Sequence, residues 1–287
     1  MVKIFCFIIL FAIKIFVCYN KLMKNILITG VCGGMGKATA EFLENNGYNV
    51  FGLDITDCEN NKINFFKTDL TKEESIKNAF EKIKQQTDSI DAIIHFAGIY
   101  KLNSLVEMSE QEFVKIFDIN LFSMFRINKI FLPLLKNGSK IILTSSELAP
   151  LDPLPFTGIY AITKSAIEKY AYSLKMELQL LNIDVCVIRP GAVKTTLLND
   201  SQSQIDKFCE TTKLYKYNSK KFKSITEKVE TKNISPEKIA KLAFKILNKK
   251  HPKFVYSINR NFGLRLLSFL PKKLQLKIIK SILKEKK

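Results

Sequence analysis

A chain of 287 residues, 47% hydrophobic and 25% charged, has ordinary globular usage and enough apolar material for one large core or two small ones. No Pro/Gly/Ser-rich linker or internal repeat divides it. The net charge is +18, but the segment from Lys249 to Lys287 holds twelve Lys/Arg against one acid, Glu285. With +11 confined to the tail, a nucleic-acid footprint across the fold is excluded. The six cysteines, Cys6, Cys18, Cys32, Cys58, Cys186 and Cys209, form no C-x-x-C pair, and the only histidines are His95 and His251. A zinc site is therefore excluded, and the cysteines read as free thiols in a reducing compartment.

In chain order, the first segment is residues 1–22. Ile4 to Tyr19 is almost wholly apolar, broken by Lys14. Its 16 residues are short for a membrane span, which needs about 20. They match a signal-peptide core, but no clear small-residue cleavage site follows. A membrane anchor, a signal segment and an extension outside the working protein stay open, and the first or last fits better than secretion.

After Met23 the pattern alternates. Asn25 to Thr29 reads as a buried strand, Gly30 to Gly36 as a glycine-rich turn, and Lys37 to Asn46 as a helix stopped by Gly47. Strands follow at Asn49 to Leu53 and Ile63 to Phe66. A helix spans Thr71 to Gln86, with Thr71 as cap and Glu74 three residues on. Asp91 to Phe96 is a fourth strand, and one long helical stretch runs from about Ser109 to Leu135. Lys140 to Thr144 is a strand, Thr157 to Leu181 a helix, Asp184 to Ile188 a strand, and Ser235 to Asn248 a helix with Pro236 at its start. Lys253 to Tyr256 fits a last strand. This alternation predicts βαβ units, hence a doubly wound parallel sheet of Rossmann type in a three-layer α/β/α domain over residues 23–260. Ligands of such sheets lie at the carboxyl ends of the strands.

The motifs sit at those ends. Thr29-Gly30-Val31-Cys32-Gly33-Gly34-Met35-Gly36 joins strand to helix, where glycines let the backbone approach a pyrophosphate at the helix N-terminus. Asp54, ending the second strand, is placed to accept hydrogen bonds from the adenosine ribose and would repel a 2′-phosphate. No arginine adjoins it, so NAD(H) is expected over NADP(H). Tyr160 and Lys164 lie one helical turn apart on a shared face. A nearby ammonium lowers a phenol's pKa from about 10, which suits Tyr160 to exchange a proton near neutral pH.

Taken together, these motifs resemble the short-chain dehydrogenase/reductase family over about residues 24–260. Thr29, Gly30, Gly34 and Gly36 match its T-G-x-x-x-G-x-G; Tyr160 and Lys164 match its Y-x-x-x-K. Asp69-Leu70 resembles its adenine-contacting pair, and Pro190-Gly191-Ala192-Val193-Lys194-Thr195 its P-G-x-x-x-T. The helical asparagine falls on Asn120 and the catalytic serine on Ser146, with Ser145 still open because Ser146 lies 14 residues before Tyr160, one more than the commonest spacing. The family's N-N-A-G reads His95-Phe96-Ala97-Gly98, keeping the small Ala97 and Gly98 beside the cofactor but losing the bracing asparagines. His95 itself reads as structural rather than as a base.

The resemblance implies an NAD(P)-dependent oxidoreductase acting on an alcohol or ketone. In it Ser146 binds the substrate oxygen, Tyr160 moves the proton, Lys164 holds the nicotinamide ribose and tunes Tyr160, and Asn120 positions a relay water. Gly30, Gly34, Met35, Gly36, Asp54, Asp69, Leu70, Ala97, Gly98, Pro190, Gly191, Val193 and Thr195 contact the cofactor. It further implies a homodimer or homotetramer. A catalytically idle nucleotide-sensing scaffold is the alternative; a sugar-nucleotide epimerase is disfavoured by the glycine spacing. A cytoplasmic location is expected, with membrane association left open.

The family resemblance implies that Leu197 to Lys232 is a mobile lid over the substrate, with solvated helix and loop as the other reading; its composition names no substrate. The apolar, proline-braced Ala149 to Phe156 reads as a pocket wall and suggests a moderately hydrophobic substrate. In the tail, residues 261–287, Lys273, Lys277, Lys280 and Lys284 share one helical face and Leu274, Ile278, Ile279, Ile282 and Leu283 spread over the other. Such a helix lies on an anionic membrane or docks on protein, and the sequence leaves both readings open.

Overall fold

The computed structural model describes residues 24–58, 63–229 and 233–285. The apolar segment Ile4 to Tyr19, with its three readings, lies outside them. Among the described residues the strands are β1 (Asn25–Thr29), β2 (Asn49–Asp54), β3 (Asn64–Lys67), β4 (Ile90–His95), β5 (Leu135–Thr144), β6 (Asp184–Pro190) and β7 (Val255–Ile258). All pair in parallel in the order β3-β2-β1-β4-β5-β6-β7. The expected doubly wound sheet is thus present as a single α/β domain. The strand order reverses between β1 and β4, whose ends are in register at Thr29 and His95. That switch point opens a crevice at the carboxyl edge.

Period-2 alternation along each strand makes the three layers. Leu27, Phe51, Ile93, Ile141 and Val187 face one side, against Ile76 of α2 (Glu73–Lys84), Phe131 of α4 (Ser123–Phe131) and Ile167 of α5 (Gly158–Leu178). Their neighbours Ile26, Ile28, Val50, Ile94, Ile142 and Ile188 face the other. There they meet Leu43 of α1 (Gly34–Glu44) and Ala243 and Ile246 of α8 (Pro236–Leu247). These strand residues are fully or almost fully buried, as apolar runs covered on both faces must be.

Several local expectations change. The stretch from Ser109 to Leu135 is not one helix. Ser109 starts α3 (Glu110–Phe117) with a reciprocal capping box to Glu112. A π-turn at Asp118–Phe122 then separates α3 from α4, and Pro133 ends the run in a short 3-10 turn. Strand β5 consequently starts at Leu135 rather than Lys140, with a register shift opposite Ile90 and Ala92. Thr71 does not cap α2; Lys72 occupies that position, because the Thr71 hydroxyl is drawn back to the Asp69 carboxylate at 2.6 Å. The expected lid is a pair of helices, α6 (Thr196–Thr211) and α7 (Lys216–Val229).

The cysteine reading also needs correction. Cys32 in the glycine turn and Cys58 after β2 form a disulfide, their Cα atoms 5.5 Å apart. Adjacent parallel strands bring together turns that are 26 residues apart in sequence, which cysteine spacing alone does not reveal. Cys186 and Cys209 are free.

The tail forms α9 (Phe262–Phe269) and α10 (Lys272–Leu283). Of its two readings, docking on the domain is observed for one face. Leu283 and Ile279 pack with Phe222 of α7, the Asn218 amide donates to the Leu283 carbonyl at 2.8 Å, and the Gln275 amide donates to Asp152 at 2.9 Å. No helix among the described residues is long and apolar enough to cross a membrane.

Candidate active site

Gly30 has φ +71°, and a Cβ there would lie 2.6 Å from the Ala97 backbone nitrogen. A Cβ on Gly36 would lie 2.0 Å from the Gly30 carbonyl oxygen. The first turn of α1 thus closes on β1 only because these positions lack side chains. Gly34 sits against the Thr195 methyl, so the glycine turn meets the segment after β6. Asp54 holds the turn in shape: its carboxylate accepts from the Cys32 N–H and the Thr56 N–H, each at 3.0 Å. Asp69 ends the neighbouring loop, its carboxyl lowered below the usual range chiefly by the Thr71 hydroxyl. Leu70 packs on the core, and its carbonyl accepts from Arg126 at 3.4 Å.

A cavity of about 640 Å³ opens at the carboxyl ends of β4, β5 and β6. Its lining brings together Met35, Gly98, Ser146, Tyr160, Lys164, Pro190, Gly191, Val193 and Thr195 from the sequence-derived set. Gly30, Gly34, Gly36, Asp54, Asp69, Leu70, Ala97 and Asn120 stand outside that lining. Of these, the glycines, Asp54, Asp69 and Leu70 extend the edge along β1 to β3, and Ala97 and Asn120 back the wall.

Burial pushes the Tyr160 pKa up to about 12, against an opposing influence of Ser146. Lys164 is buried in the same helix, its pKa pulled down to about 8 by desolvation. Its ammonium donates to the Thr144 carbonyl at 3.1 Å and stands 5.4 Å from the Tyr160 ring centroid. The expected lowering of the phenol by the ammonium is therefore outweighed here: burial disfavours both charged forms. Both candidate serines line the cavity; the Ser145 hydroxyl is 2.9 Å from Glu168 and 3.2 Å from the Lys164 carbonyl, and the Ser146 hydroxyl accepts from the Leu148 N–H at 3.2 Å. Glu168 in turn is gripped by both Arg189 donors at 2.5 Å, a bidentate bond between α5 and β6.

Asn120 lies in the π-turn, fully buried. Its side chain accepts from the Ile99 N–H at 2.8 Å and donates to the Ile99 carbonyl at 3.0 Å and to Thr163 at 3.3 Å. It fixes the loop leaving β4. His95 is buried, with its Nε2 2.9 Å from the Asn128 oxygen, and burial drops its pKa to about 4. Asn128 also donates to the Tyr170 hydroxyl at 3.0 Å. A neutral His95–Asn128–Tyr170 chain supplies bracing on this side, and His95 does not line the cavity.

Sequence reasoning missed four features of the site. Glu147, half-buried with its carboxyl raised by desolvation, accepts from the Asn261 N–H at 2.5 Å and pins the tail to the cavity wall. The Tyr100 ring packs against that of Tyr160, centroids 4.9 Å apart and tilted by 58°. The tail residues Arg260 to Leu264 line the cavity. The Glu168–Arg189 pair locks the helix that carries Tyr160. None belongs to a spaced motif; only the neighbourhood of Glu147 to Ser146 carried any signal.

The crevice, the glycine turn and the tyrosine–lysine helix are arranged on a Rossmann-type α/β fold. The family description "short chain dehydrogenase" matches residues 24–206, and the chain belongs to the short-chain dehydrogenase/reductase family. A "probable short-chain type dehydrogenase/reductase" of Helicobacter pylori is 32% identical over 176 residues, 59% of this chain and 65% of that protein, so the match spans slightly under two thirds of that relative. A 3-ketodihydrosphingosine reductase of Bacteroides thetaiotaomicron is 28% identical over 80% of this chain and 85% of its own length. Among solved structures, a short chain dehydrogenase family protein of Francisella tularensis superposes with TM-score 0.69 at 28% identity, covering 82% of this chain and 97% of its own. The fold is shared by an alcohol dehydrogenase of Thermococcus sibiricus complexed with 5-hydroxy-NADP, at TM-score 0.65 and 22% identity, covering 82% of this chain and 96% of its own.

Proposed function

We propose that residues 23–260 form an NAD(P)-dependent oxidoreductase domain that interconverts a secondary alcohol and a ketone, with NAD(H) preferred. The observation that carries this is the convergence of Ser146, Tyr160, Lys164, Met35 and Thr195 on one cavity. The residues fit a dinucleotide. The turn at Gly30 and Gly36 has no room for side chains, and the Thr144 hydroxyl, on the cavity wall, is buried without a partner. When bound, the nicotinamide group supplies or accepts the hydride.

In this reading Ser146 donates a hydrogen bond to the substrate oxygen, and Tyr160 gives or takes the proton at its hydroxyl. Lys164 binds the nicotinamide ribose and favours the phenolate. The π-turn presents Asn120, whose side chain is engaged by Ile99, so a relay water falls to its main-chain carbonyl. Thr195 and the Pro190–Gly191 turn hold the carboxamide end, and Asp54 accepts from the adenosine ribose. Asp54 accepts from two backbone N–H groups, and an acidic side chain at this strand end disfavours a 2′-phosphate.

The pocket wall of Leu148, Leu154, Ile205, Phe222 and Leu264 favours an apolar substrate, and the Bacteroides relative, named for a keto lipid, points the same way. Exposed Phe113, Phe122, Phe125, Tyr172 and Met176 on α3, the π-turn, α4 and α5 offer an apolar face for a second copy, in a dimer or tetramer.

The test is NADH and NADPH titration followed by a turnover screen over long-chain ketones and steroids. Tyr160→Phe should bind NADH as the unaltered protein does and lose turnover at least about 100-fold. Retained turnover would refute the assignment, and tighter NADPH binding would refute the cofactor preference.

A further inference from the structure

We infer that α9 and α10 form a docking surface for an anionic lipid bilayer, which sets the mouth of the cavity against the membrane. On α9, Phe262, Leu266 and Phe269 recur at spacings of four and three, hence on one helical face. They are 75%, 55% and 79% exposed. Two residues later, α10 adds exposed Leu274, Leu276 and Ile282. A monomer seldom leaves so many large apolar side chains exposed in one short segment.

The docked face of α10 is already used by Gln275, Ile279 and Leu283. Lys273, Lys277 and Lys280 stay in solvent. Apolar side chains beside lysines, on a segment of charge +11, are complementary to a surface that is both greasy and negative. A second copy of this chain is the wrong partner by the same logic, since it would set lysines against lysines.

The surface is continuous with the site. Phe262 and Leu264 of α9 line the cavity, and Glu147, next to Ser146, holds the N–H of Asn261 at the start of that helix. The Asp152 N–H bonds the Ser268 hydroxyl at 3.3 Å, tying the other end of α9 to the pocket wall. The substrate is then an amphiphile taken from the bilayer with its polar, oxidisable end toward Tyr160. This last step rests on the proposed oxidoreductase activity; the docking itself does not.

The chain has no tryptophan, so Phe269→Trp in the full chain installs a sole reporter outside the cavity lining. On vesicles of phosphatidylcholine with phosphatidylserine at low salt, its emission should shift to the blue and be quenched by brominated lipids. Pure phosphatidylcholine and high salt should abolish both effects. Adding Lys273→Gln, Lys277→Gln and Lys280→Gln should raise the lipid needed about 100-fold, at about five-fold per lysine, with the melting temperature as the check on folding. Because the reporter sits at position 269, binding through residues 1–22 alone leaves its emission unchanged. That unchanged emission on anionic vesicles, or an equal response on neutral ones, would overturn the inference. A lipid-independent shift that grows with protein concentration would also overturn it, identifying a second copy as the occupant. None of these readings needs cofactor or turnover, so they fail independently of the enzymatic proposal.

Discussion

Replacing Lys164 by methionine should make the protein more stable at pH 7, although Lys164 is assigned to the chemistry. The ammonium is buried, and its single recorded hydrogen bond goes to the Thr144 carbonyl. Desolvation lowers its pKa from 10.5 to about 8, a gap worth about 3 kcal/mol at about 1.4 kcal/mol per pH unit. Between those two values the unfolded chain holds the proton and the folded chain does not, so stability rises with pH across that window. Below pH 8 the folded protein carries the whole penalty of a buried charge. Methionine has a similar unbranched length and no charge. Its substitution removes about 3 kcal/mol of penalty and forfeits about 1 kcal/mol of hydrogen bond, a net gain of about 2 kcal/mol.

The assay is urea unfolding of both proteins at pH 7 and pH 10, free of cofactor. The variant should lead by about 2 kcal/mol at pH 7, and the lead should vanish by pH 10, where the unaltered lysine is neutral in the folded state. Taking the difference between the two proteins cancels the other tyrosines and lysines that titrate in this range. A variant less stable at pH 7, or a gap independent of pH, would refute the burial argument. Loss of dinucleotide affinity in the same variant would show the stability–function conflict expected where an active site holds a destabilising group.

His95, with its pKa depressed from 6.5 to about 4, is held neutral by burial. The unfolded chain takes up a proton that the folded one refuses, so about 3 kcal/mol of stability is lost as pH falls from 6.5 to 4. Urea midpoints of the unaltered protein should drop over that range more than those of His95→Gln; parallel curves would contradict it. Gly36→Ala places a Cβ against the Gly30 carbonyl, a backbone atom that cannot swing aside. It should cost about 2–3 kcal/mol and abolish NADH binding by calorimetry, and normal affinity would sink the account of the turn.

What the sequence disclosed tracks the kind of physics involved. Strand alternation, Gly30 and Gly36, and the turn of helix between Tyr160 and Lys164 are local, and each is where the pattern puts it. The π-turn at Asp118–Phe122 was hidden because its residues suit an α-helix equally well; the break is set by Asn120 reaching the Ile99 backbone. The displaced cap at Thr71 shows a side-chain acceptor two residues back winning over the helix. The Cys32–Cys58 pair, the Glu168–Arg189 lock and the anchoring of α9 by Glu147 join segments 21 to 114 residues apart, and no periodicity encodes such meetings.

From spacing alone, Lys164 is a cation that lowers the Tyr160 pKa. In the folded chain both groups share one dry pocket, and burial pushes the phenol up and the ammonium down. Burial thus favours the neutral form of each, although below pH 8 Lys164 still carries its proton. A proton relay built from them needs an added interaction that favours charge, and Ser146 and Thr144 line the same cavity. Ser146 opposes the rise at the phenol, while the Thr144 hydroxyl is buried without a partner at the same strand end. The two-sided burial that makes the sheet stable thus sets the electrostatic problem that the residues at its carboxyl edge must solve.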